Sequence, residues 1–215
     1  SDSPNRYGAI ARWLHWTMFA LIAVQMVGGI FLEDLPKGSA LRGFAFDGHE
    51  TVGIVAILLV LARIAWKLSH PGPAPEGTGL QQALAKAGHV ALYALMIAVP
   101  VVGYAMVDAK GYDVAFFGWS GPDFLAKDAD LAKSLNQLHE RLAWLLTGLV
   151  AVHVAAAFWH HFGLRDGTLR RMLPARAFAR CHLTASHRRC SLTSVPKTAS
   201  SSSTDPTVSP AMFLT

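Results

Sequence analysis

Four long apolar runs constrain the fold of this chain more than any other feature of its sequence. They cover residues 13–32, 49–66, 87–107 and 142–159. Each has about 18 residues or more, the length that an α-helix needs to cross roughly 30 Å of hydrocarbon. Tryptophans stand at the ends of the runs, as expected of rings at the level of lipid headgroups. We therefore expect an all-α membrane protein, an up-and-down bundle of four transmembrane helices.

The composition agrees with this expectation. Of the 215 residues, 52% are hydrophobic and 15% are charged, which is too apolar for a domain that must cover its surface with charge. The net charge of +5 is divided among short basic clusters between the apolar runs. The expected partner is therefore the lipid bilayer, and nucleic acid is not expected.

The last 41 residues differ in character from the rest. We expect residues 1–174 to form the transmembrane domain and residues 175–215 to be a disordered or foreign tail, because the chain there becomes rich in Ser and Thr without apolar periodicity. Both cysteines lie in this tail, near two histidines, but their spacing is not that of a zinc finger.

The first apolar run is too long for the core of a signal peptide, so we expect it in the mature protein.

Basic residues indicate the orientation. Eight Lys and Arg residues flank the runs on the side that holds both termini, and six flank the other side. Because cytoplasmic flanks carry an excess of Lys and Arg, we expect both termini in the cytoplasm and the acidic loop 108–133 outside.

Every predicted span carries histidine near one end. They are His15, His49 and His89 in the first three spans, with His139 and His153 around the fourth. Ionisable residues in hydrocarbon are rare and functional by default, since their burial is costly. A single one is most often a polar residue that a neighbouring helix satisfies. Here five histidines fall at two common depths in the membrane, and this pattern favours a shared function.

The spacing of these histidines points to haem. His139 and His153 are 14 residues apart, which is two heptads and so one face of a supercoiled helix. At 1.5 Å per residue they are separated by about 21 Å, one near each side of the membrane. Imidazole is an axial ligand of haem iron, and such ligands project inward in helix bundles. We therefore predict two stacked haems.

The step of 14 residues recurs in the other three spans, from His15 to Gly29, from His49 to Arg63 and from His89 to Gly103. At these positions a glycine makes room for the edge of a porphyrin ring. The guanidinium of Arg63 can hold haem propionates through charge-assisted hydrogen bonds.

Alternating span directions sort the histidines into two layers. The outer layer holds His49 and His139, which form its single candidate pair. The inner layer holds His15, His89 and His153, three residues for two axial positions. Spacing alone does not choose among these three.

Several short motifs surround these histidines: RWLHW at 12–16, GHE at 48–50, KAGH at 86–89, LHE at 138–140, VHVAAA at 152–157, HH at 160–161 and LRRMLP at 169–174. Together they resemble the bacterial cytochrome b561 family over about residues 6–174. The resemblance implies a protein of the inner membrane that holds two b-type haems, oxidises superoxide and reduces ubiquinone. Members of this family end near residue 174, so the tail departs from the pattern.

The resemblance also implies roles for individual residues. It pairs His15 with His153 at the inner haem and leaves His89 free beside it. It places His89 and His160 at a quinone site on the cytoplasmic side, where imidazole can supply protons. From the residues alone, His160 and His161 equally well complement the dipole at the end of the fourth helix. On the outside, Lys110, Lys127, Lys133 and Arg141 are candidates for attracting superoxide.

Two other functions remain as alternatives. The first is a cytochrome b subunit that takes electrons from a hydrogenase or dehydrogenase, which would be its redox partner protein. The second is a haem-free membrane protein that uses histidine for metal binding or transport. It predicts a colourless protein.

Overall fold

A computed structural model describes residues 6–70, 72–73 and 77–173. Within that part of the chain, four helices are long and apolar enough to cross a membrane. They are α1 (Ala9–Leu32), α2 (Ala40–Ser69), α3 (Gly79–Ala109) and α4 (Ala129–Phe158), and α4 runs on into one π-helical turn, Trp159–Gly163. The predicted all-α class and the four spans are confirmed. The predicted tail, 175–215, lies outside the described residues.

The helices are longer than the apolar runs that predicted them. Helix α2 begins nine residues before His49, and α4 begins ten residues before His139. Their first turns are capped: the Ser39 hydroxyl accepts the N–H of Arg42, and the Asp128 carboxylate accepts two N–H groups of its helix. Capping sets where a helix begins, whereas apolarity marks only the part suited to hydrocarbon. Both outer-layer histidines therefore lie inside helices.

The helices pack in chain order, α1 on α2, α2 on α3 and α3 on α4. A core cluster fills the space between them, formed by Met18, Val60, Leu92, Met96 and Leu146. Leu146 lies midway between His139 and His153 in sequence and on the same face of α4, so this face is the inward one. Outward-facing residues such as Val24 and Leu58 are more than half exposed, which suits surfaces that contact lipid.

The connection between α3 and α4 contains a hairpin that the apolar pattern did not predict. Two short antiparallel strands, β1 (Ala115–Phe116) and β2 (Trp119–Ser120), are joined by Phe117 and Gly118, whose φ angles are 49° and 81°. Two successive positive φ values are typical of the type I′ turn, which matches the twist of a hairpin. The sequence signal for this turn is the single glycine at its second position.

Helix α2 holds this hairpin beside the outer layer. The Glu50 carboxylate accepts the N–H of Ala115 at 2.8 Å, and the Thr51 hydroxyl donates to the carbonyl of Ala115 at 3.3 Å. These two residues directly follow His49 in the chain. The hairpin is thus attached one turn or less from a predicted haem ligand.

Asp108 anchors the other end of the same connection. Its side chain is buried, and one carboxylate oxygen accepts the N–H groups of Phe124 and Leu125 at 2.8 and 2.9 Å. The expected loop 108–133 is shorter than predicted, because α3 continues to Ala109 and residues 129–133 begin α4. A buried carboxylate with two backbone donors is a structural anchor, not a solvated loop charge.

After the π turn, residues 164–173 fold back against α1. The indole Nε1 of Trp16 donates to the carbonyl of Met172 at 2.9 Å, and the Arg6 guanidinium donates to the carbonyl of Leu173 at 3.0 Å. Since Trp16 follows His15, the segment lies at the inner-layer end of the bundle.

Candidate functional site

The structure brings together the histidine pair predicted for the outer layer. The ring centres of His49, on α2, and His139, on α4, are 6.3 Å apart, with the ring planes at 77°. A metal ion bound between two imidazoles, with bonds of about 2 Å, places the ring centres about 6 Å apart. The observed separation therefore suits a haem iron held by one imidazole on each face.

The surroundings of His139 orient its ring. Its Nδ1–H donates to the carbonyl of Val99 at 2.9 Å, which leaves Nε2 as the nitrogen available to a metal. Histidines that bind metals commonly donate their second ring nitrogen to such a carbonyl. On the other side, the Gln25 amide donates to the backbone carbonyl of His49 at 2.8 Å and ties α1 to α2 at the same level.

Glycines stand against both outer-layer rings. A Cβ atom at Gly103 would lie 2.9 Å from Cε1 of His139, and one at Gly29 would lie 3.5 Å from Cε1 of His49. Both glycines were predicted from the step of 14 residues. In the structure the space that they leave is taken by the imidazoles themselves. An open groove of about 370 Å³ lies beside His49 on the outward side of α1 and α2.

The inner layer holds three histidines at unequal distances. The ring centres of His15 and His153 are 6.4 Å apart, nearly the separation of the outer pair, with the planes at 60°. The ring centres of His89 and His153 are 5.4 Å apart, and His89 meets His153 edge to face. The Nδ1 atom of His89 bonds to the carbonyl of Ala85, one turn back in its own helix. The geometry favours His15 and His153 as the pair that faces a common metal ion.

Arg63 reaches the inner layer with an unpaired donor. Its Nε donates to the hydroxyl of Tyr93 at 2.9 Å, while its buried Nη1 has no hydrogen-bond partner among the described residues. Its charge acts electrostatically on both His15 and His153, so it lies close to them. A buried donor without a partner is costly, and a haem propionate would satisfy it. The residues of this layer thus fit a b-type haem.

Tyr93 was not predicted as part of the site, although it holds Arg63. The ammonium of Lys67 lies 5.6 Å from the centre of the Tyr93 ring and approaches the same side chain. Nothing along the sequence links Tyr93 to Arg63, since they are 30 residues apart on different helices.

His160 lies in the π turn at the end of α4, where its Nδ1 is hydrogen-bonded to the Asp166 carboxylate. Asp166 is a second partner that sequence reasoning did not identify. The neighbouring His161 has a buried Nδ1 with no hydrogen-bond partner among the described residues. Imidazole paired with carboxylate is an arrangement that holds and transfers protons.

Comparison with known proteins adds to this geometry. Residues 6–175 match the family described as "Prokaryotic cytochrome b561". Among curated relatives, "Cytochrome b561 homolog 2" of Escherichia coli K12 is 32% identical over 176 residues, covering 80% of this chain and 94% of that protein. "Cytochrome b561 homolog 1" of the same organism is 28% identical over 174 residues, covering 80% and 99%. "Probable superoxide oxidase CybB" of Yersinia pestis is 29% identical over 182 residues, covering 80% and 98%.

Proposed function

The chain belongs to the prokaryotic cytochrome b561 family, and from this membership we propose that it oxidises superoxide at the outer layer and reduces ubiquinone at the inner layer. Members of the family are bacterial membrane proteins that bind b-type haem and transfer electrons. The main observation behind the proposal is that two pairs of imidazole rings lie in two separate layers. The ring centres are 6.3 Å apart for His49 and His139 and 6.4 Å apart for His15 and His153.

In this proposal each layer holds one b-type haem. His49 and His139 are the outer ligands, and His15 and His153 are the inner ligands. Gly103 leaves the room that the ring of His139 needs, and Gly29 lies in ordinary contact with the ring of His49. When bound, haem supplies one-electron chemistry that amino-acid side chains lack. The apolar helices around both layers supply the insulating sheath.

Arg63 and Tyr93 complete the inner layer in this proposal. The Nη1 atom of Arg63, which has no partner among the described residues, would bind a propionate, and the Tyr93 hydroxyl fixes the direction of the guanidinium by accepting from Nε. Charge-assisted hydrogen bonds of this kind are about twice as strong as neutral ones. They would help Arg63 to hold the haem.

The outer layer is the proposed entry point for superoxide. Each superoxide ion gives up one electron and leaves as dioxygen, so no nucleophile is required. Of the basic residues expected to attract the anion, Lys110 acts electrostatically on both His139 and Glu50 and therefore lies close to the outer layer. The likeness to a probable superoxide oxidase supports this substrate.

The inner layer is the proposed site of quinone reduction. A quinone takes up two electrons and two protons to become a quinol, which balances the oxidation of two superoxide ions. His89 and His160 are the proposed quinone-site residues, and both lie at the inner-layer end. With the termini in the cytoplasm of the bacterial inner membrane, the protons come from the cytoplasmic side.

One observation favours a second candidate function, an electron-transfer subunit that docks a dehydrogenase or hydrogenase. Phe117 and Trp119, at the tip of the hairpin, are 70% and 79% exposed. Exposed aromatic side chains are common where proteins bind one another. In this alternative the same two layers carry electrons, but they come from a protein donor.

Visible spectroscopy and stopped-flow mixing test the proposal. The purified protein should show six-coordinate b-type haem, two per chain. Replacing His49 or His139 by Ala should remove one haem and keep the other. Superoxide should reduce the haems of the protein alone, and added ubiquinone should reoxidise them. Haems that superoxide leaves oxidised would favour the subunit alternative, and a colourless protein would exclude both functions.

A further inference from the structure

The end of α4 carries a histidine on the same face as the candidate haem ligands. His139, His153 and His160 are separated by 14 and 7 residues, whole numbers of heptads. Leu146, which completes the series, is buried in the core. His160 therefore lies on the inward face, about 10 Å along the axis from His153. This depth places it beyond the inner layer, at the end of the bundle that holds residues 164–173.

The π turn brings Asp166 to this histidine. In a straight α-helix, residues six apart point about 120° away from each other, so their side chains do not meet. Here the N–H of Leu164 bonds to the carbonyl of Trp159, the i to i+5 pattern that widens the turn. Arg165 then adopts a φ of 54°, which reverses the chain, and the N–H of Asp166 bonds back to the carbonyl of His160 at 3.1 Å.

Both oxygens of the Asp166 carboxylate are engaged. Oδ2 bonds to Nδ1 of His160 at 2.5 Å, and Oδ1 accepts the N–H of Thr168 at 2.9 Å. Partial burial raises the pKa of Asp166, but the hydrogen bonds from His160 and Thr168 lower it by more, so its pKa lies below the usual range. The group is therefore a fixed anion that keeps a proton on Nδ1 of His160. The two side chains are 27% and 22% exposed, so water reaches them.

The surrounding contacts place the pair beside the inner layer. The segment that carries Asp166 is tied to α1 through Trp16, whose ring lies 5.4 Å from that of His15, one of the inner-layer residues. His160 thus lies between the inner layer and the solvent at this end.

We propose that Asp166 is the positioning residue of a proton-transfer pair, in which it fixes His160 so that the Nε2 atom of His160 faces the oxygen of a bound quinone. This inference rests on the proposed quinone reduction. With both ring nitrogens protonated, His160 gives the Nε2 proton to a quinone oxygen as the quinone takes up one electron from the inner layer. The Nδ1 proton stays on the bond to Asp166, and Nε2 regains a proton from solvent. The second electron then reaches the quinone, and its other oxygen takes a proton from solvent to complete the quinol.

The test uses the full-length, haem-loaded protein with the variant Asp166→Asn, which keeps the shape and removes the charge. We expect kcat for reduction of ubiquinone-1 to fall about tenfold or more, because a positioned general acid contributes at least that much. KM should change less than twofold. Reduction of the haems by superoxide without quinone should keep its rate. Asp34→Asn, at an exposed aspartate at the other end of the bundle, is the matched control.

A readout independent of turnover is the protonation of His160. Nitrogen-15 NMR of histidine-labelled protein, with His160→Gln used to assign the signal, should show Nδ1 protonated in the native chain and lose this preference in Asp166→Asn. The glutamate variant Asp166→Glu should recover part of kcat, because it restores the anion.

Two outcomes would overturn the inference. If Asp166→Asn reduces quinone at the native rate, the aspartate does not position the acid. The second outcome concerns the double variant His160→Gln with Asp166→Asn. If adding Asp166→Asn slows His160→Gln as strongly as it slows the native protein, Asp166 acts through another group. If Asp166→Asn only impaired folding, the double variant would also be slower than His160→Gln by the full factor. This comparison therefore separates a folding defect from a positioning role. Native protein that superoxide reduces but quinone does not reoxidise would instead refute the proposed function and this inference together.

Discussion

A Cβ atom added at Gly103 would lie 2.9 Å from Cε1 of His139, closer than side-chain atoms pack in folded proteins. The ring of His139 cannot easily move aside, because its Nδ1–H is bonded to the carbonyl of Val99. The small residue on α3 and the imidazole on α4 are therefore coupled, although 36 residues separate them in the chain.

Gly103→Ala should accordingly displace His139 and weaken the outer haem. Overpacking of this kind costs about 1–3 kcal/mol. We expect the haem content to fall from two per chain towards one, measured by the pyridine haemochrome assay. Gly28→Ala is the control, because no described atom lies within 4 Å of a Cβ there. Gly29→Ala, with a contact of 3.5 Å, should resemble the control. Equal haem content in all three variants would contradict the prediction.

The inner ligands can be identified by single replacements. His15→Ala and His153→Ala should each remove one haem, because their rings face each other at a separation that suits a shared metal ion. His89→Ala should retain both haems, since the ring of His89 lies too close to that of His153 to share one. Low-temperature optical spectra of the purified variants distinguish these results. If His89→Ala loses a haem and His15→Ala keeps both, the inner ligands are His89 and His153.

Arg63→Gln should lower the midpoint potential of one haem. Removing a positive charge near the iron stabilises its oxidised, more positive form. At a distance of several ångströms in a partly buried site, the effect should be about 1 kcal/mol or more. Potentiometric titration followed by optical spectroscopy measures it. Arg63→Lys keeps the charge and should recover most of the potential, while Tyr93→Phe should have a smaller effect. If the potential of the outer haem shifts instead, Arg63 does not act at the inner layer.

Asp108→Asn should loosen the connection between α3 and α4. The carboxylate is 3% exposed and accepts two backbone N–H groups, and loss of its charge weakens both bonds. A cost of roughly 1–3 kcal/mol follows for a buried group of this type. Limited proteolysis should then cut between residues 110 and 128 faster than in the native protein. Asp123→Asn, at an exposed position of the same connection, serves as the comparison and should be cut at the native rate.

Several features followed from the sequence without a structure. Apolar length alone predicted four spans, because hydrocarbon thickness dictates how many residues a helix needs to cross it. The 14-residue step between His139 and His153 predicted two layers, because positions two heptads apart share a helix face. The pairing of His49 with His139 followed from alternating span direction. These inferences use only the distance along one helix and the order of the helices.

Other features depend on how the helices lie side by side. Three histidines share the inner layer, and periodicity within each helix says nothing about which two rings face each other. Their separations of 6.4 and 5.4 Å come from lateral packing. The bond from Arg63 to Tyr93 joins two helices in the same way.

Local backbone geometry accounts for the rest. The contact of His160 with Asp166 exists because a π turn and the positive φ of Arg165 reverse the chain, whereas regular helical periodicity would keep the two residues apart. The sequence by itself thus determined the spans, and it predicted the depth of each histidine and the outer pair. Only the tertiary structure decided which side chains meet across helices and at the helix end, because those contacts depend on lateral packing and backbone dihedral angles that a one-dimensional pattern does not contain.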